Sequence, residues 1–154
     1  MSVKRIMIEA VATGENWSDV LTQQDMEAAA GVVAAETGAH GDVALALGDD
    51  ILLQQLNRDF RGKDKPTNVL SFPSGEDDFL GDVAMSRETL RREAAEQDKD
   101  ERSHALHLLV HGILHLLGYD HETDEQADVM ESLERRVLEK LGIADPYGDQ
   151  PRAH

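Results

Sequence analysis

Residues 111–121, HGILHLLGYDH, place three histidines inside an almost wholly apolar run. His111 and His115 stand four residues apart, so on a helix their imidazoles reach one ion from the same face. Gly118 ends the apolar run and lets the chain reverse, which can return His121 to the same ion as a third donor. Imidazole nitrogen suits zinc, and three protein ligands leave a fourth position for water or substrate, as catalytic zinc sites do. The pattern therefore predicts one Zn2+ held by His111, His115 and His121. The competing readings are a closed structural metal site, which the open fourth position disfavours, and ordinary hydrogen-bonded histidines.

The segment that positions these groups reads as a helix over 102–118, and it also carries His104 and His107. At about 100° per residue, its four histidines fall within roughly 80° of one another. Leucines, valine and isoleucine fill the remaining circumference, and a helix apolar nearly all round is a buried one. This helix is thus expected at the centre of the fold. His107 could extend the metal site, orient a ligand or simply pack, and His104 is expected as a partly exposed helix residue. Asp120 and Glu122 flank the third histidine, and either could hold a ligand imidazole. Most of the acidic run to Glu134 reads as the solvated start of a last helix, where carboxylates favour the N-terminal dipole.

The rest of the chain supplies a small sheet and its covering helices. KRIMIEAVA at 3–11 reads as a first strand, and a helix follows over 19–37 with Ser18 or Asp19 as cap and Gly38 as stop. DVALALG at 42–48 alternates with period two, as a strand does. ILLQQLNRDF then forms a helix capped by Asp49 or Asp50 and ending near Gly62. TNVLSF at 67–72 and FLGDVAMS at 79–86 read as strands joined by the turn PSGEDD. RETLRREAAEQ makes a polar helix. A last helix runs from Thr123 to Leu141, with Thr123 and Gln126 forming a capping box and an apolar stripe of Ala127, Met130, Leu133, Val137, Leu138 and Leu141. The expected class is α+β: a small mixed sheet of about four strands covered by five to six helices. Residues 1–142 are expected to form one domain and 143–154 a flexible tail.

Composition narrows the function further. The 154 residues include no cysteine, which excludes disulfides, thiolate metal sites and cysteine nucleophiles. Neither a signal peptide nor a bilayer span is apparent, so a cytoplasmic protein is expected. The net charge of −16, from 15 basic and 31 acidic residues, repels polyanions at long range and argues against a non-specific nucleic-acid coat. The concentrated basic segment is RDFRGKDKP, with Arg58, Arg61, Lys63 and Lys65. An arginine on such a helix-to-strand connection could clamp a phosphate with its planar fork of donors.

The histidine spacing resembles that of the metzincin peptidases, H-E-x-x-H-x-x-G-x-x-H, but Gly112 stands where their catalytic glutamate would be. Amide hydrolysis by the usual route therefore lacks its base. A longer resemblance covers LNRDFRGKDKPTNVLSFP at 56–73, LGDVAMS at 80–86 and HLLVHGILHLLGYDH at 107–121. In order and spacing these motifs resemble the bacterial YbeY family of metal-dependent endoribonucleases. The resemblance implies an α+β fold, zinc ligation by His111, His115 and His121, and a functional arginine at Arg61 beside the metal. It further implies single-strand-specific cleavage in 16S rRNA 3′-end maturation and ribosome quality control. The implied partners are ribosomal RNA, ribosomal particles, and ribosomal or GTPase assembly proteins. A zinc peptidase-like hydrolase and a non-catalytic ribosome assembly factor are the rival readings.

Overall fold

The structure is a computed structural model and describes residues 5–13 and 17–144. Four strands and five helices appear among these residues: β1 (Ile6–Ala12), α1 (Gln23–Thr37), β2 (Gly41–Gly48), α2 (Asp50–Arg61), β3 (Val69–Pro73), β4 (Phe79–Ser86), α3 (Arg87–Glu96), α4 (Glu101–Leu116) and α5 (Asp124–Lys140). The sheet order is β1-β2-β4-β3, with β1, β2 and β4 mutually parallel and β3 antiparallel to β4. This is the expected α+β class with a mixed sheet. The β3–β4 hairpin leaves β3 at one edge, directly beside α4.

Helix α4 is the centre of the molecule because, beyond its first turn, its sequence is apolar on every side but the imidazole stripe. Leu106, Leu109, Val110, Ile113 and Leu114 are at most 1% exposed. The helix packs on β3 and β4 and is flanked by α1, α3 and α5. Asp100 caps it by accepting from the Ser103 N–H at 2.8 Å. After Leu116 the chain turns through Gly118, whose φ of +98° is a left-handed value that glycine adopts without Cβ strain. The capping box of α5 forms as the sequence predicts, with Thr123 and Gln126 satisfying each other's backbone N–H groups.

One boundary differs from expectation. α1 begins at Gln23, capped by Thr22 and Asp25 in a capping box, and not at Ser18 or Asp19. The cause is apolar: Trp17, Val20 and Leu21 are buried, and they require a turn in which Val20 and Leu21 donate back to the Trp17 carbonyl. Asp19 instead pairs at 3.1 Å with Arg87, a guanidinium whose side chain is only 5% exposed and which also binds Glu101. A charge so buried is costly without partners. At the far end, Ile143 is buried against the core; of the expected tail, residues 145–154 lie outside the described residues.

Candidate metal centre and its cleft

The imidazole stripe of α4 is divided among three neighbours. His104, at its N-terminal end, meets Glu93 of α3 at 2.9 Å. It is 4% exposed, so the expectation of a partly exposed residue is corrected. Its interior position follows from α3 packing across the first turns of α4, where Glu93 also accepts from the Asn68 side chain at 3.0 Å. Burial would raise the Glu93 carboxyl, but the bonds from His104 and Asn68 prevail and hold it below its usual range.

His107 and His111 both turn toward α5, and both meet the same carboxylate. Glu134 Oε2 lies 3.2 Å from His107 Nε2, and its Oε1 lies 2.5 Å from His111 Nδ1. Glu134 is completely buried. Burial alone would raise its pKa, yet the hydrogen bonds from His107 and His111 lower it to about 2. An ionised carboxylate only accepts, so both ring nitrogens facing it must donate. His111 therefore presents its Nδ1 proton to Glu134 and directs Nε2 toward the opposite side. The sequence reading missed Glu134 by assigning the acidic run to solvent. A signal was present: Met130, Glu134 and Leu138 fall at four-residue spacing, so the carboxylate occupies a core position of the α5 stripe.

On that opposite side the three predicted ligands converge. Donor atoms of His111, His115 and His121 all lie within 4.8 Å of one another. His115 Nε2 is 3.1 Å from His111 Nε2, and the His121 ring lies 5.2 Å from that of His115 and 5.8 Å from that of His111. Two imidazole nitrogens directed at each other this closely repel unless a proton or a cation lies between their lone pairs. The donor set thus fits a small divalent metal. Burial first, then the neighbouring His111 and His121, keeps the His115 pKa below the usual imidazole value, which favours the neutral ring that metal ligation requires. The turn at Gly118 delivers His121, whose N–H donates to the Asp120 carboxylate at 2.8 Å. Asp120 thereby fixes the backbone of the third histidine.

The histidines line an open cleft of about 800 Å3, together with Arg61, Asn68, Ser71, Glu93, Lys99, Asp120 and Glu122. Arg61 enters from the last turn of α2, where Gly62 closes the helix with a φ of +68°. Its Nη2 donates to the Ser71 carbonyl at 2.8 Å, and its guanidinium carbon lies 5.6 Å from the centre of the Phe72 ring. Ser71 Oγ in turn donates to the Gly112 carbonyl of α4 at 2.9 Å. Edge strand β3 therefore ties the arginine to the histidine helix.

Gly112 faces the sheet. A Cβ placed there would lie 2.9 Å from Val83 Cγ1 and 3.3 Å from Ser71 Oγ. The position that carries a base in the metzincin pattern is here pressed against the sheet, and glycine is what lets α4 approach it. Similarity to known proteins agrees with the motifs. The endoribonuclease YbeY family model matches residues 9–142. The chain belongs to the endoribonuclease YbeY family. A Rhodopseudomonas palustris (strain BisA53) protein named endoribonuclease YbeY is 49% identical over 148 residues, covering 90% of this chain and 86% of that one. Its Parvibaculum lavamentivorans namesake is 44% identical over 166 residues, covering 97% and 90%. Among solved structures, TM1509 from Thermotoga maritima superposes with a TM-score of 0.60 at 28% identity, covering 96% of this chain and 99% of that chain. Among the described residues, no helix is long and apolar enough to cross a membrane.

Proposed function

We propose that this member of the YbeY family is a single-strand-specific, metal-dependent endoribonuclease of the cytoplasm. Its substrate is ribosomal RNA, cleaved in 16S 3′-end maturation and ribosome quality control, and ribosomal particles with their ribosomal or GTPase assembly proteins are its partners. His111, His115 and His121 would hold one Zn2+, and Arg61 would bind the phosphate. When bound, zinc supplies a Lewis acid for a phosphodiester. The chain's own residues do the rest. Glu134 keeps the His111 proton on Nδ1, and the Ser71 carbonyl holds the Arg61 fork at the cleft, where its remaining donors can neutralise phosphate charge.

One observation carries this reading against a peptidase. The cleft joins a three-histidine cluster to an arginine, while the position of the peptidase base lies packed on the sheet. Carboxylates could not neutralise the charge that Arg61 can. The test is Arg61→Glu: the variant should retain its zinc and lose cleavage of ribosomal RNA by at least about 100-fold, the scale of one lost transition-state charge contact. A zinc-loaded Arg61→Glu protein with full activity would remove the phosphate role. Hydrolysis of casein, abolished by His111→Ala, would restore the peptidase.

A further inference from the structure

Phe60 directly precedes Arg61 and is 67% exposed, the one aromatic among the exposed large hydrophobic side chains of the described residues. Its ring centre lies 5.3 Å from that of Phe72, with the planes inclined by 59°. Phe72 is anchored beneath, packed against the small cluster of Leu53, Leu70 and Ala84 under α2. The Arg61 guanidinium adjoins the same Phe72 ring. One aromatic is thus fixed by the core, the second rests on it with most of its surface in water, and a phosphate-binding candidate stands beside both. The chain has only three phenylalanines, and two of them form this pair.

An exposed ring has a hydrophobic cost that solvent does not repay, and nothing among the described residues covers it. Its neighbourhood decides what can. Lys63 and Lys65 follow in the exposed loop, and in a chain of net charge −16 this cationic stretch favours an anionic ligand. A ligand that is anionic along its backbone and offers flat apolar faces at each unit is a single-stranded nucleic acid, whose bases stack on aromatic rings irrespective of sequence. A duplex hides those faces within its own stack.

We infer that Phe60, supported by Phe72, is a base-stacking platform that seats the nucleotide next to the phosphate bound by Arg61, and so makes the enzyme prefer unpaired RNA. The inference rests on the endoribonuclease reading above and deepens it. Phe60 is a binding residue here, outside the residues that line the cleft but adjacent in the chain to Arg61, which does line it.

The experiment is steady-state cleavage of a single-stranded RNA oligonucleotide by zinc-loaded wild-type, Phe60→Ala, Phe60→Leu and Phe60→Trp proteins. Phe60→Ala and Phe60→Leu should raise KM about 5- to 100-fold, the worth of one stacked base, with kcat near wild type and zinc content unchanged. Phe60→Trp should keep or lower KM. Because the side chain is exposed, melting temperatures should change little across the series. A wild-type KM in Phe60→Ala on an enzyme that does cleave RNA overturns the platform alone. A Phe60→Leu protein equal to wild type overturns stacking in favour of plain apolar contact, and a fall in kcat at constant KM overturns it in favour of a role in holding Arg61. If wild-type protein leaves RNA intact, the underlying reading fails and the platform with it.

Discussion

Glu134 shows how one buried charge can organise a site from behind, through the outer nitrogen of His111. It is enclosed among apolar side chains of α5, and two imidazole N–H groups satisfy it. Such partners of ligand imidazoles set the tautomer and raise ligand basicity. Glu134→Gln removes the charge and places an amide donor against rings that must themselves donate. Its zinc affinity, measured by chelator competition, should fall about 10- to 100-fold, and an unchanged affinity would contradict the positioning role. The same residue makes an acid-stability prediction. Its folded pKa of about 2 lies below the ordinary 4.5, so it contributes stability above pH 4.5 that is lost as pH falls toward 2. Denaturant unfolding of metal-free protein should therefore show the wild-type advantage over Glu134→Gln shrinking across that window.

At the scale of elements, α4 serves as both core helix and carrier of the candidate ligands His111 and His115, and Gly112 reconciles the two tasks. Gly112→Ala would gain about 0.5–1 kcal/mol in helix propensity. Against this, its Cβ would meet Val83, a stiff β-branched side chain that is only 1% exposed, at 2.9 Å. Overpacking of that kind costs about 1–3 kcal/mol, so a net loss of about 1 kcal/mol is expected in the denaturant midpoint. A more stable Gly112→Ala protein would show that the helix does not need this approach. Much of this element was legible in sequence, because both its apolar circumference and its histidine spacing are local patterns, as are the caps at Thr123 and Gly62. What sequence concealed depends on contacts between helices distant along the chain. Glu134 and His104 look like surface residues until α5 and α3 close over α4. Asp19 looks like a helix cap until Arg87, 68 residues later, claims it.

For the whole molecule, the acidic surface and an RNA substrate are reconciled by a local group of cations beside the cleft, set in a chain of net charge −16. Arg61 and Lys99 line the cleft and Lys63 and Lys65 follow Arg61 closely in the chain, while the overall negative charge repels polyanions and leaves little non-specific binding. Each phosphate contact on a single strand contributes about −0.7 to the slope of log affinity against log salt, so four cations predict a slope no steeper than about −3. A much steeper slope in fluorescence anisotropy with single-stranded RNA would mean that cations elsewhere bind it. The central claim is that the three-histidine cluster is the metal-dependent RNA-cleaving centre. It is tested most directly by incubating metal-defined wild-type and His111→Ala proteins with ribosomal RNA while measuring bound zinc. The wild type should carry about one zinc per chain and cleave the RNA, and His111→Ala should lose both. Cleavage by His111→Ala at the wild-type rate, or a zinc-loaded wild type that leaves the RNA intact, would contradict it.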